Sequence, residues 1–238
     1  MRARPPRRAR RRPRNEGRPE AGQPDQNAGL DAPRSLTPFG GRRGAAIDWL
    51  IVGLGNPGKE YAGTRHNVGF AIGDLLAERW QLPTPKQRFR GRLAEGRVRA
   101  GAGAGAPDVG ASKPPQVAML WPQTYMNKAG RSVGPARGSY KLALDRLLVI
   151  HDEIDLPFGD IRTRLGGGLA GHNGLKSLKR ELGSPDFWRV RVGVGRPDST
   201  DPEIVSAHVL GRFSEPRAQV QELLERAADE VERKVSEG

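Results

Sequence analysis

LIVGLGNPGKEYAGTRHN, residues 50–67, carries two incompatible readings, and the choice between them decides both fold and chemistry. An apolar run, Leu50-Ile51-Val52, leads into Gly53-x-Gly55-x-x-Gly58, the spacing of a dinucleotide-binding turn. The same turn holds Asn56 and Pro57, then Tyr61, and closes on adjacent His66 and Asn67. A dinucleotide turn needs its helix to begin at the glycines, so that the first amides meet the pyrophosphate, and needs an acid about 20 residues on at the end of a second strand. Here Pro57, Gly58 and Gly63 delay the helix to residue 66 or so, and the acid at that distance, Glu78, falls inside a helix. A phosphate loop is excluded as well, because no glycine run precedes Lys-Ser/Thr. The segment therefore reads as a strand-ending turn that presents Asn56, Tyr61 and His66.

Working outward, Val68, Ile72, Leu75 and Leu76 recur at helical spacing up to Trp80, and Leu82-Pro83-Thr84-Pro85 ends that helix. Residues Phe89 to Arg99 and Gln116 to Trp121 read as strands, separated by AGAGAGAPDVGASKPP, a flexible hairpin tip. A helix is expected after Asn127, a buried strand over Leu147 to Ile150 and a short strand near Ile161 to Arg164. Glycines 166, 167, 168 and 171 then lead into a helix beginning near Asn173, followed by a strand over Trp188 to Val194. Val220, Leu223, Leu224, Ala227, Val231 and Val235 share one face of a final helix. Strands alternating with helices predict an α/β fold: a single domain, residues 47–238, with a twisted mixed sheet flanked by helices.

The charge is unevenly placed. Residues 1–46 hold 12 arginines, four acids and seven prolines with few apolar side chains, so they carry +8 of the chain's +13. Such a segment cannot bury enough surface to offset chain entropy and is expected to be a disordered basic tail. From Ser214 onward the net charge is −3, which leaves +8 on residues 47–213. A basic body suits a polyanionic partner. No apolar segment follows the arginines to complete a secretory or twin-arginine signal, and no run of about 18 apolar residues exists to span a membrane. With no cysteine there is no disulfide, no thiolate nucleophile and no thiolate-held metal. A cytoplasmic protein is expected.

Among the four histidines, His66 stands at a loop-to-helix junction, whereas His208 lies in a short Val/Ala context and reads as structural. A general base near neutral pH calls for an imidazole, and the imidazole calls for a carboxylate to fix its tautomer. Asp152 follows the apolar strand and His151, so it emerges where α/β proteins place their sites. The cluster His151, Asp152, Glu153 and Asp155 could alternatively hold a metal, although its ligands are crowded into one turn with no HExxH pair. No G-x-S-x-G elbow supports a serine nucleophile, which leaves water. Asn56, Asn67, Asn127 and Asn173 occupy turns or helix starts; capping accounts for such positions, and so does a set of carboxamides reading a peptide backbone.

Four ordered blocks, VGLGNPGKEYAGTRHNVGF, PQTYMNKAG, LLVIHDEIDLPFGDIR and GGGLAGHNGLKSL, followed by RVRVGVGRP and HVLGRF, resemble the bacterial-type peptidyl-tRNA hydrolases. The likeness runs from about residue 48 to about residue 236 and leaves out the basic head. It implies hydrolysis of the ester joining a peptide's carbonyl to the 3′-terminal ribose of tRNA, with no cofactor and no metal. By this resemblance His66 is the base that activates water, Asp152 holds it, and Asn56 separates N-blocked from free aminoacyl esters by accepting from an amide N–H. Asn127 and Asn173 hold peptide and water, Tyr61, Tyr125 and Met126 line the cleft, and His172 and Asn67 are further candidates. For the tRNA phosphates, Arg162, Arg164, Lys176, Arg189 and Arg191 flank the glycine-rich loop. Peptidyl-tRNA, stalled large ribosomal subunits and a monomeric state are the implied partners and assembly. A non-catalytic RNA-binding protein on the same fold is the alternative. Leu169-Ala170 departs from the family's more polar or glycine-rich filling of its loop, and the acidic stretch Asp198 to Glu203 bounds the basic footprint.

Overall fold

The computed structural model describes residues 46–98 and 113–237. The expected disordered tail (through residue 45) and most of the expected hairpin tip (residues 99–112) lie outside the described residues.

Strands β1 (Trp49–Gly53), β2 (Lys86–Arg88), β3 (Gly91–Arg97), β4 (Gln116–Pro122), β5 (Leu147–Glu153), β6 (Ile161–Leu165) and β7 (Trp188–Gly193) form a seven-stranded sheet in the order β2-β3-β4-β1-β5-β7-β6. The central strands β4, β1, β5 and β7 run parallel, and antiparallel partners close both edges. Parallel strands are covered on both faces and so read as unbroken apolar runs. Every residue of β1 and of β5 is buried accordingly. Helices α1 (Val68–Arg79) and α5 (Arg217–Ser236) cover one face through Val68, Ile72, Leu76, Leu223, Ala227 and Val231. Helices α2 (Gly130–Tyr140) and α3 (Asn173–Leu182) cover the other through Val133, Ala136, Leu175 and Leu178. Each such buried Val, Leu or Ile side chain contributes about 1.5–3 kcal/mol relative to exposure.

Three departures from the sequence reading have local causes. The strand expected over residues 89–99 is a hairpin: Arg88 faces Gly91, and Phe89 and Arg90 turn the chain with φ of 52° and 54°. Two positive φ values define a type I′ turn, usually marked by Asn-Gly, and nothing in Phe-Arg announces one. Helix α4 (Pro202–Leu210) was not expected; it starts where Asp201 Oδ1 accepts from Glu203 N at 2.8 Å with Pro202 in its first turn. Strand β5 runs on to Glu153, three residues past the apolar run.

Two glycines explain why the start of α1 reaches the end of the sheet. A Cβ on Gly69 would stand 2.5 Å from the carbonyl oxygen of Ile150, and one on Gly53 would stand 2.3 Å from the carbonyl of Gly69. Helix backbone and strand backbone are thus in direct contact. Gly53, the first glycine of the apparent cofactor turn, serves this approach, and the residues just before α1 arrive over β5.

Candidate active site

His66 lies in a 3-10 turn, Arg65–Asn67, immediately before α1. Asp152 lies on β5 two residues beyond Ile150, so it faces the same side of the sheet, while His151 faces the other. The backbone contact at Gly69 brings the two together: His66 Nδ1 is 2.9 Å from each carboxylate oxygen of Asp152. Their exposures are 8% and 3%, so the pair is shielded from bulk water.

A second imidazole reaches the same carboxylate. His172 Nε2 is 3.0 Å from Asp152 Oδ1, and His172 also caps α3, its Nδ1 accepting from Gly174 N at 3.0 Å and Leu175 N at 3.4 Å. Because Nδ1 accepts, the neutral ring carries its proton on Nε2 and donates it to Asp152. Asp152 therefore accepts from two sides, and the proton it holds on His66 is the one on Nδ1. That leaves His66 Nε2 with a free lone pair.

Electrostatics agree with the geometry. Burial by itself pulls the His66 imidazole down, but the charge of Asp152 and its hydrogen bond outweigh burial, and the net displacement is upward from the ordinary value of 6.5. Burial would likewise raise the Asp152 carboxyl, yet the fields and hydrogen bonds of His66 and His172 hold it well below the usual carboxylate range. His151 is pushed down to about 3, first by complete burial and then by its neighbour His172. It stays neutral, with Nδ1 donating to the Asp152 carbonyl at 2.7 Å and its ring edge-on to His172 at 5.0 Å.

The asparagines divide into supports and free groups. Asn67 grips the backbone of Asn56, accepting from its N–H at 2.8 Å and donating to its carbonyl at 2.9 Å. Asn56 Oδ1 accepts from Met126 N at 2.7 Å, which fixes the orientation of the carboxamide and leaves its Nδ2 as the free donor. Met126 N occupies one of the two lone pairs of Asn56 Oδ1, and the Nδ2 so oriented suits a carbonyl oxygen. Met126 is 4% exposed and packs in the core with Leu54 and close to Gly174. Asn127 and Asn173 are exposed, and neither caps a helix by its side chain. Capping of α3 falls to His172, so it does not account for Asn173. Tyr125 is 56% exposed and Tyr61 partly buried. A cleft of about 350 Å³ opens beside Asn56 and Asn67, lined further by Phe70, Arg92 and Gln123.

The five basic candidates are not equivalent. Arg164 and Lys176 are exposed, and Arg162 is exposed with Asp160 at 3.5 Å. Arg191 is paired with buried Glu153 at 3.0 Å. Arg189 departs from expectation: at 2% exposure it donates to the carbonyls of Gly168 (2.6 Å), Gly167 (3.2 Å) and Pro185 (3.0 Å). It braces the glycine-rich loop from below and has no face to offer a phosphate.

The metal reading of residues 151–155 finds its donors engaged. Glu153 bonds Arg191 and the Asp155 amide, Asp155 pairs with Arg196 at 2.6 Å, and His151 bonds a carbonyl. Among the described residues the ligand-type atoms that do converge are those of His66, Asp152 and His172, within 4.8 Å of one another. A cation there would have to displace the Nε2 proton of His172.

His172 and Asn67, further candidates by resemblance, are both tied into the site, His172 to Asp152 and Asn67 to the backbone of Asn56. A histidine one residue before a helix start and an asparagine one residue after the base were the available signals.

The family model described as Peptidyl-tRNA hydrolase matches residues 50–238. The peptidyl-tRNA hydrolase of Bdellovibrio bacteriovorus is 44% identical over 192 residues, covering 80% of this chain and 94% of that protein. That of Geobacillus kaustophilus is 46% identical over 187 residues, covering 78% and 92%. Among solved structures, the peptidyl-tRNA hydrolase of Acinetobacter baumannii is 39% identical with a TM-score of 0.64, covering 81% of this chain and 89% of that one.

Proposed function

The chain belongs to the peptidyl-tRNA hydrolase family and hydrolyses peptidyl-tRNA, and within that activity we propose that a water molecule activated by His66 cleaves the ester between the peptide carbonyl and the 3′-terminal ribose. The single observation that carries the reading is the buried contact of His66 Nδ1 with both oxygens of Asp152, which leaves Nε2 unprotonated. Nε2 removes a proton from water as its oxygen attacks the ester carbon, and Asp152 stabilises the imidazolium that forms. Negative charge then gathers on the former carbonyl oxygen, where a fixed donor lowers the barrier. Asn56 Nδ2 is such a donor, oriented by Met126 N and anchored by Asn67. Collapse expels the ribose oxygen, which takes the proton back from His66. Water and ester become a ribose hydroxyl and a peptide carboxyl group, which ionises to the carboxylate by releasing its proton to solvent.

Asn127 and Asn173 bind the peptide with carboxamides that no helix end uses, and Tyr61 and Tyr125 flank the ester. His172 fixes Asp152, and no metal takes part. Full hydrolysis of N-acetylaminoacyl-tRNA in excess chelator is therefore expected; activity lost to chelator and restored by added zinc would reverse this reading.

Arg162, Arg164, Lys176 and Arg191 meet tRNA phosphates without reading bases, which suits an enzyme that must accept every tRNA. Residues 1–46 add a basic arm outside the catalytic domain of residues 47–238, and the substrates include peptidyl-tRNA on stalled large ribosomal subunits. The enzyme works as a cytoplasmic monomer; among the described residues no helix is long and apolar enough to cross a membrane. Lys176→Ala is expected to leave kcat intact and to reduce the salt dependence of tRNA binding by about one counterion. Deleting residues 1–46 flattens that slope further. Slopes unchanged in both variants would remove these groups from the interface.

A further inference from the structure

The residue before the base is gripped as firmly as the residue after it. Arg65 is 6% exposed although it carries a full charge. Its Nη1 donates to the Arg212 carbonyl, while its Nη2 donates to Ser214 Oγ at 3.1 Å and to the Glu215 carboxylate at 3.2 and 3.0 Å. Its guanidinium lies 5.3 Å from the centroid of the Phe213 ring. The backbone joins in, with Arg65 N donating to the Gly211 carbonyl at 3.0 Å and Thr64 bridging to Arg212. Residues 211–215, the link between α4 and α5, thus close around one side chain.

On the other side of His66, Asn67 is fastened to the backbone of Asn56. The histidine therefore sits between two clamps, one to the 211–215 link and one to the glycine turn. A single 3-10 turn has few internal hydrogen bonds to hold its own pitch. We propose that Arg65 is a positioning residue for the reaction: its fork of hydrogen bonds to residues 211–215 sets the register of the turn that points His66 Nδ1 at Asp152. The proposal rests on the reading of His66 as the base. Lysine cannot substitute, because a point charge on a flexible stem cannot serve a carbonyl, a hydroxyl and a carboxylate from one plane.

A second arginine clamp, built on three carboxylates, supplies the control. Arg79, at the end of α1, pairs with Glu225, with Asp229 at 2.8 Å and with Glu232 at 3.3 Å on α5, away from the site. The experiment compares Arg65→Lys and Arg79→Lys in the full-length protein by kinetics on N-acetylaminoacyl-tRNA, thermal melting, and the low-field proton resonance of His66 Nδ1–H assigned against His66→Ala. Arg65→Lys is expected to lower kcat by about 10²-fold, the usual consequence of a displacement near 1 Å, with KM unchanged and the resonance lost. Arg79→Lys is expected to lower the melting temperature while keeping both kcat and the resonance. Glu215→Gln keeps an acceptor and drops the charge, so it should fall between, and it carries the test if Arg65→Lys does not fold. Normal turnover in both the Arg65 and Glu215 variants, lost turnover with the resonance intact, or equal losses in the Arg79 variant would each overturn the proposal. Undiminished hydrolysis by His66→Ala would instead overturn the base assignment and leave the resonance comparison standing.

Discussion

Replacing His66 with alanine is expected to slow single-turnover hydrolysis of N-acetylaminoacyl-tRNA by about 10²–10⁴-fold, the range supplied by a positioned general base. This corresponds to about 3–5 kcal/mol of barrier. The side chain is small, 8% exposed and not part of either apolar cluster, so the loss should fall on kcat more than on folding. Binding should persist, because the exposed cations Arg164 and Lys176 are untouched. Exogenous imidazole entering the vacated space should restore part of the rate. Hydrolysis at the normal rate would return the chain's catalysis to some other group.

Replacing Asp152 with asparagine should cost nearly as much, up to about 10⁴-fold, by a different route. A carboxylate accepts from both imidazoles, whereas a carboxamide has one acceptor oxygen and one NH₂. His172 donates through Nε2, because its Nδ1 is held by the α3 amides, and so claims the oxygen. The NH₂ then faces His66 Nδ1, which must become an acceptor. The His66 proton moves to Nε2, the atom that has to take a proton from water. The fold should survive, since the replacement is of nearly equal size and removes a buried charge. Rates within about tenfold of the unmodified protein, the span of 1.4 kcal/mol, would contradict this tautomer argument.

Much of the site was legible because its residues sit at positions where periodicity breaks. Asp152 ends an apolar strand, and His66 follows a turn too long for a dinucleotide; both facts are local, and both were readable. The parallel core was legible for the same reason, as unbroken apolar runs at residues 50–54 and 147–150. What escaped was either relational or unmarked. The burial of Arg189 depends on which face of β7 lies under the glycine-rich loop, and alternation in Trp-Arg-Val-Arg-Val leaves that choice open. The orientation of the Asn56 carboxamide depends on Met126, 70 residues away. The hairpin at Phe89-Arg90 was hidden because neighbouring strands impose two positive φ values on residues that do not favour them. Gly53 was readable as a glycine that mattered, but only its contact with Gly69 shows that it serves helix docking.

The central claim is that neutral His66, held by Asp152, is the base, and the pH dependence of kcat/KM under single-turnover conditions tests it most directly. Only the neutral imidazole can take a proton from water, so the rate must rise with pH through the His66 ionisation and fall about tenfold per unit below it. Asp152 displaces that ionisation upward from 6.5, so the rising limb should be centred above 6.5 in the unmodified protein. In Asp152→Asn the upward influence is gone and burial remains, so the limb should move to lower pH as the plateau drops. A single limb above 6.5 that shifts downward in the variant is the predicted result; a limb at the same pH in both proteins, or a rate indifferent to pH between 5 and 8, would contradict it.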